Sequence, residues 1–416
     1  MAEIRTLANG VRLFVDPMPG LESAALGIWA RAGAIDETPE ENGVAHLLEH
    51  MAFKGTSRRT ARQIVEEIEA VGGYLNAATG YQRTGYYARI LKNDLPLAFD
   101  ILADILADPL FDEGELAKER EVVVQEIGEA NDAPDDAVGE LLQTLAYTGQ
   151  SLGRPILGGI ETVRSHGPAR LRGFMQRLYR PEEIVIAAAG AVDADEIERL
   201  AVSHFGARAA NGALAQRARP RYVGGAAHDA RDIDQTHISL AFPGVSARDG
   251  DFFATRIFTE AFGGGMSSRI FQRIREDLGL AYSVYAFTES YDDAGIIGAY
   301  VGTDEDNAQE AVRLIREELE AAASGMTDAE IDRARALLKS SILMGLESPQ
   351  NRIETAAAQI LTYGDIITPK SLLARLDAVT AHDVRRCAER ALNDGPASLA
   401  VVGPADFPAL KSVFVG

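Results

Sequence analysis

Two histidines four residues apart, with a glutamate beside the second, are the residues in this chain best suited to chemistry. They stand in the run His46-Leu47-Leu48-Glu49-His50. The stretch from Gly43 to Phe53 has a helical pattern, so the two imidazoles project from one face, one turn apart. That geometry suits two ligands of a single divalent ion. Glu49 shares the surface, where a carboxylate can take a proton from water polarised by such an ion.

The order H-x-x-E-H is the inverted form of the zincin motif. A catalytic zinc ordinarily has three protein ligands and one open position, and this helix supplies only two. The Glu-rich helical stretch from Glu113 to Glu129 offers candidates in Glu119 and Glu126. They stand seven residues apart, which places both carboxylates on one face about two turns from each other. One can bind metal while the other supports the site. With a single cysteine, Cys387, the chain cannot build a zinc site mainly from thiolates. Taken separately, a histidine pair can be a packed surface feature and an acidic helix a solvated face. Their combination in one lobe favours a metal centre.

The elements that must position these groups recur in two halves. In the first, strand-like Ala24 to Ala30 precedes the motif helix and a helical stretch from Ile64 to Val71. Strands Tyr74 to Ala78 and Thr84 to Leu91 follow, then helices Leu95 to Leu106 and Glu113 to Glu129. The second half repeats these types: strand His237 to Phe242, helices Phe252 to Phe262 and Ser267 to Asp277, strands Ala281 to Thr288 and Gly295 to Gly302, and helices Asn307 to Ala323 and Asp328 to Leu346. An Ala-, Gly- and Arg-rich break near Ala207 to Ala230 separates them. The expectation is an α+β chain of two related lobes, each a mostly antiparallel sheet packed with helices: residues 1–208 with the metal motif, a linker at 209–228, and residues 229–416 without it.

The run His46-Leu-Leu-Glu-His50-Met-Ala-Phe-Lys-Gly-Thr56, with Glu126 lying 76 positions beyond His50, resembles the pitrilysin/insulinase family of zinc peptidases. It is most similar to the short two-lobe branch that includes bacterial processing-type peptidases and the mitochondrial processing peptidase β subunit. The resemblance spans nearly the whole chain. It implies His46, His50 and Glu126 as ligands of one Zn2+ per chain, Glu49 as general base and Glu119 as the supporting acid. Gly73-Tyr-Leu-Asn76-Ala77-Ala-Thr79 is similar to the family's edge strand, on which an extended peptide adds as a further strand. Asn76 and Ala77, with Phe53 from the core run, are thereby implied in substrate binding. Arg275-Glu-Asp-Leu-Gly279-Leu-Ala-Tyr282 resembles the segment that brings an arginine and a tyrosine from the opposite lobe. Arg275 would hold substrate backbone, and Tyr282 would donate to the oxyanion.

By the same resemblance the two lobes form one half of a clam-like endopeptidase that encloses unfolded peptides. Pairing is implied as a homodimer, with a heterodimer containing an inactive homologue as the variant. Gly263-Gly-Gly-Met-Ser-Ser-Arg269 is only a short version of the glycine-rich loop of the non-catalytic processing subunit. The alternative, a non-catalytic processing or respiratory-complex core-like subunit, would carry an eroded motif.

Composition narrows the classes further. With 416 residues, 46% of them hydrophobic, the chain can bury more than one core. A formal charge of −21 argues against nucleic-acid partners, which need clustered Lys and Arg, and is compatible with cationic peptides. No apolar run approaches the ~20 residues of a membrane span, and Met1 to Arg5 has no signal-peptide pattern. The expected compartment is therefore cytoplasmic, with no membrane partner.

Overall fold

The computed structural model describes residues 2–210, 212, 214 and 216–415. Met1, Gly416 and three residues of the expected linker, Asn211, Ala213 and Ala215, lie outside the described residues. The fold is α+β, with one sheet in each of two compact units. Among the described residues, no helix is long and apolar enough to cross a membrane.

The first unit comprises Met1–Gly128, Arg154–Arg217 and Met344–Ile366. Its six strands are β1 (Glu3–Thr6), β2 (Arg12–Pro17), β3 (Ser23–Ala30), β4 (Tyr74–Thr79), β5 (Thr84–Leu91) and β6 (Ile184–Gly190). They lie in the order β1-β2-β6-β3-β5-β4, with β4 at an edge. Only the β2/β6 pair is parallel. All seven residues of β6, Ile-Val-Ile-Ala-Ala-Ala-Gly, are buried. A continuous apolar run of this kind marks a strand covered on both faces.

One cover comes from helices of the N-terminal half, through Leu47, Leu48, Met51, Phe99, Leu102, Phe174 and Phe205. The other is the helix Pro349–Tyr363 from late in the chain, which packs Ile353, Ala357 and Ile360 on Phe14, Trp29, Val185 and Ala187.

The second unit, Glu129–Gly153, Ala218–Leu343 and Ile367–Gly416, repeats the plan. Its strands β7 (Gly225–Asp229), β8 (Thr236–Pro243), β9 (Ala281–Ser290), β10 (Gly295–Thr303) and β11 (Ser398–Val402) run in the order β7-β11-β8-β10-β9. This matches β2-β6-β3-β5-β4, and the first pair is again the parallel one. Here the helix Pro134–Ala146, from the N-terminal half, sets Val138 and Leu142 on Ala241, Tyr300, Ala400 and Val402.

Each half therefore lends the other's sheet one covering helix. The compact units are consequently not the contiguous stretches 1–208 and 229–416, because residues 129–153 and 344–366 cross that division. Periodicity identifies such a segment as a helix but carries no information about which sheet it covers. A smaller departure occurs at Phe252–Phe262. The α-helix ends at Thr259 and continues as a wider turn over Glu260–Gly264, where Gly263 leaves helical geometry at φ −157°.

Candidate metal centre

The motif lies on the helix Val44–Ala52, whose Val44, Ala45, Leu47, Leu48, Met51 and Ala52 are buried. That apolar face fixes the helix on the sheet and leaves His46, Glu49 and His50 together on the remaining stripe, at the i, i+3, i+4 spacing of neighbours. The helix begins at Gly43, with φ 89°. A β-carbon there would lie 2.7 Å from the Leu157 carbonyl oxygen, so the position excludes the Ser, Thr or Asp that ordinarily caps a helix.

Capping comes instead from Glu37. Its carboxylate accepts from the backbone N–H groups of Gly43 (3.0 Å) and Ala45 (2.8 Å) and from the Asn42 amide (3.0 Å). Burial pushes the Glu37 carboxyl up to about 7, against the opposing pull of these donors. The Asn42 carbonyl in turn accepts from His166 Nε2 at 3.1 Å, and the His166 carbonyl accepts from Arg120 at 2.8 Å. This chain of contacts connects the start of the motif helix to the acidic helix, Glu113–Asp132.

The acidic helix delivers Glu119 and Glu126. Glu126 Oε2 lies 3.5 Å from His50 Nε2 and 3.9 Å from His46 Nε2. One ligand atom from each of the three residues falls within 4.8 Å of the others. Glu126 Oε2 is buried and has no hydrogen-bond partner. An orphaned carboxylate oxygen facing two imidazole nitrogens is costly unless a cation joins them, so the donor set fits zinc.

The supporting contacts point the same way. Glu119 is 5% exposed, and its Oε2 lies 3.1 Å from His50 Nδ1 while Lys54 Nζ lies 2.7 Å from its Oε1. By accepting a hydrogen bond from His50 Nδ1–H, Glu119 favours the tautomer whose Nε2 lone pair is available as a ligand. Burial, reinforced by the neighbouring His50, holds the His46 imidazole down to about 4, so His46 is neutral near pH 7.

Glu49 sits beside this set, and its Oε2 accepts from the Thr79 hydroxyl at 2.5 Å. Burial raises its pKa from the ordinary carboxylate value, opposed by Thr79. Asn76 and Ala77 lie on the edge strand β4. Asn76 is exposed and donates to the Tyr74 hydroxyl at 2.7 Å, while Ala77 is buried opposite Tyr86. Phe53, just past the motif helix, is half-buried, with its ring 6.2 Å from that of Tyr86. Arg275 and Tyr282 belong to the second unit. The Arg275 guanidinium stacks 4.5 Å from the ring of Tyr282, which is 77% exposed, and 4.8 Å from that of Phe271.

Sequence reasoning did not single out Glu37, Lys54 or Thr79. Lys54 follows His50 by one helical turn, so spacing could have signalled it, whereas Thr79 ends the strand that carries Asn76 and no spacing ties it to Glu49. Nothing in the spacing of Glu37 marks it as a remote cap.

Comparison with known proteins gives a consistent picture. Residues 17–159 match the family described as insulinase, peptidase family M16, and residues 167–338 match the peptidase M16 inactive domain. An uncharacterized zinc protease of Streptomyces coelicolor is 40% identical over 96% of this chain and 89% of its own length. The uncharacterized zinc protease YmxG of Bacillus subtilis is 36% identical over 96% of this chain and 97% of its own. In fold, the chain matches the crystal structure of a protease from Helicobacter pylori with a TM-score of 0.90, at 19% identity and covering 97% of this chain and 99% of that one.

Proposed function

We propose, from the premise that this chain belongs to the insulinase family, peptidase family M16, that it is a zinc-dependent endopeptidase acting on extended peptides. The observation that carries this reading is the convergence of His46, His50 and the orphaned Glu126 oxygen beside Glu49. The zinc-protease names of its relatives support the choice of metal.

When bound, zinc supplies a Lewis acid that acidifies water and polarises the scissile carbonyl. His46, His50 and Glu126 would hold it, and Glu119 would keep His50 in the ligating tautomer. Glu49 takes the proton from the attacking water as its oxygen bonds to the carbonyl carbon. It then passes that proton to the amine as the C–N bond breaks. No covalent bond to the enzyme is needed. The free outer edge of β4 offers backbone N–H and C=O groups to a substrate strand, a mode that reads backbone more than side chains.

The test uses an internally quenched, unstructured peptide. Cleavage by the purified chain should vanish with a chelator and return with zinc. Glu49→Gln should retain one zinc per chain while its kcat falls about 10²–10⁴-fold. Chelator-resistant cleavage would exclude the metal mechanism, and an active Glu49→Gln variant would exclude Glu49 as the base.

A further inference from the structure

Resting on the peptidase reading above, we propose that Thr79 is a positioning residue that holds the Glu49 carboxylate and ties it to the substrate-accepting edge of β4. The evidence begins with the strand. Along β4, Tyr74, Asn76 and Ala78 are exposed, while Leu75, Ala77 and Thr79 face inward. This is the alternation of a strand with one covered face. Thr79 is the last residue of that inward row, and its hydroxyl donates to Glu49 Oε2 at 2.5 Å. A glutamate reaches its carboxylate through several rotatable bonds, so an unanchored base loses time to unproductive rotamers. The β-branched threonine brings a hydroxyl on a stiff χ1, a better anchor than a flexible donor.

The anchor is itself fixed. Thr79 pairs in register with Thr84 of β5, which is fully buried and donates to the Ala32 carbonyl at 2.9 Å. The turn is closed by Gly80 N–H on the Arg83 carbonyl at 2.9 Å. Beyond it, the carbonyls of Gly80 and Tyr81 accept from Ala34 (3.2 Å) and Ile35 (2.8 Å). Gly33 makes this approach possible, because a β-carbon there would collide with the carbonyl oxygens of Gly80 and Tyr81. The donor to the base and the edge offered to substrate are thus parts of one short, well-held strand. A peptide aligned on β4 is aligned on the element that orients Glu49.

The test is the isosteric Thr79→Val, which removes the donor and keeps the shape, set against Thr79→Ser, which keeps the donor. Thr79→Val should lose on the order of 10²-fold in kcat, with KM within about twofold and zinc content unchanged, whereas Thr79→Ser should recover most of the loss. In a crystal structure of Thr79→Val, the Glu49 carboxylate should have left its present position. Wild-type kcat in Thr79→Val would overturn the proposal, as would equal impairment of both variants. Should Thr79→Val fail to fold, Thr79→Ala against Thr79→Ser makes the same comparison. A wild-type chain without zinc-dependent cleavage would sink the peptidase reading alone, since the crystallographic position of Glu49 still tests the anchor.

Discussion

Removing the buried carboxyl of Glu37 should flatten the pH dependence of the first unit's stability. Glu37 is 4% exposed, and its carboxyl is pushed up to about 7 from an unfolded value of 4.5. A carboxyl whose folded pKa is raised binds its proton more tightly in the native state. Its stabilising contribution is therefore full below the unfolded value and is lost as pH rises towards the folded one. At about 1.4 kcal/mol per pH unit, the loss between pH 4.5 and 7 comes to about 3 kcal/mol.

Glu37→Gln cannot titrate, so its stability should gain on the wild type by about that amount across the window and run parallel above it. Other titrating groups cancel in the difference. The assay is urea unfolding at pH 4.5, 5.5, 6.5 and 7.5 in the presence of chelator, followed by tryptophan fluorescence. Trp29 is the single tryptophan and lies buried in β3 under the helix Pro349–Tyr363, so its signal reports the first unit. A constant difference between the two proteins from pH 4.5 to 7.5 would refute the assignment of a strongly raised carboxyl at this cap.

Three further outcomes follow from the packing and the metal centre. Glu119→Gln should weaken zinc binding about 10–100-fold, the usual cost of losing a ligand's supporting partner, while Glu126→Gln should lose the metal outright; competition with a chromophoric chelator measures both, and unchanged affinity in either would remove that residue from the centre. Ile353→Ala should cost about 2–5 kcal/mol in the Trp29-reported transition, because Ile353 is fully buried on the first sheet; a loss under 1 kcal/mol would mean that the helix from late in the chain contributes little to that unit.

Much of this arrangement was legible in the residues because it is encoded locally. The motif helix, the acidic helix and the strands β4, β5, β9 and β10 each carry their own period, and the observed bounds fall within a few residues of the expected ones. The α+β class followed from that order, while the edge position that β4 occupies was implied by the family resemblance and not by local pattern. What was not legible depends on partners distant in sequence. The all-buried strands β6 and β11 have no alternation to reveal them, and their second cover comes from another part of the chain. Glu37 acts as a cap six residues before the N-cap position it serves, a relation created by the loop fold and by a glycine that leaves no room for a side chain. Thr79 was in plain view, but its partner is set by the packing of a strand end on a helix, which no spacing rule describes.

The reciprocal loan of helices has a consequence for synthesis on the ribosome. The last strand of the first sheet ends at Gly190, but the segment that shields its second face begins only at Pro349. At ordinary elongation rates, that interval leaves a nascent chain with Phe14, Trp29 and Val185 uncovered for on the order of 10–30 s. Throughout that time the growing polypeptide presents a broad apolar surface to chaperones, and its first sheet gains its second cover only after Pro349–Tyr363 has been made.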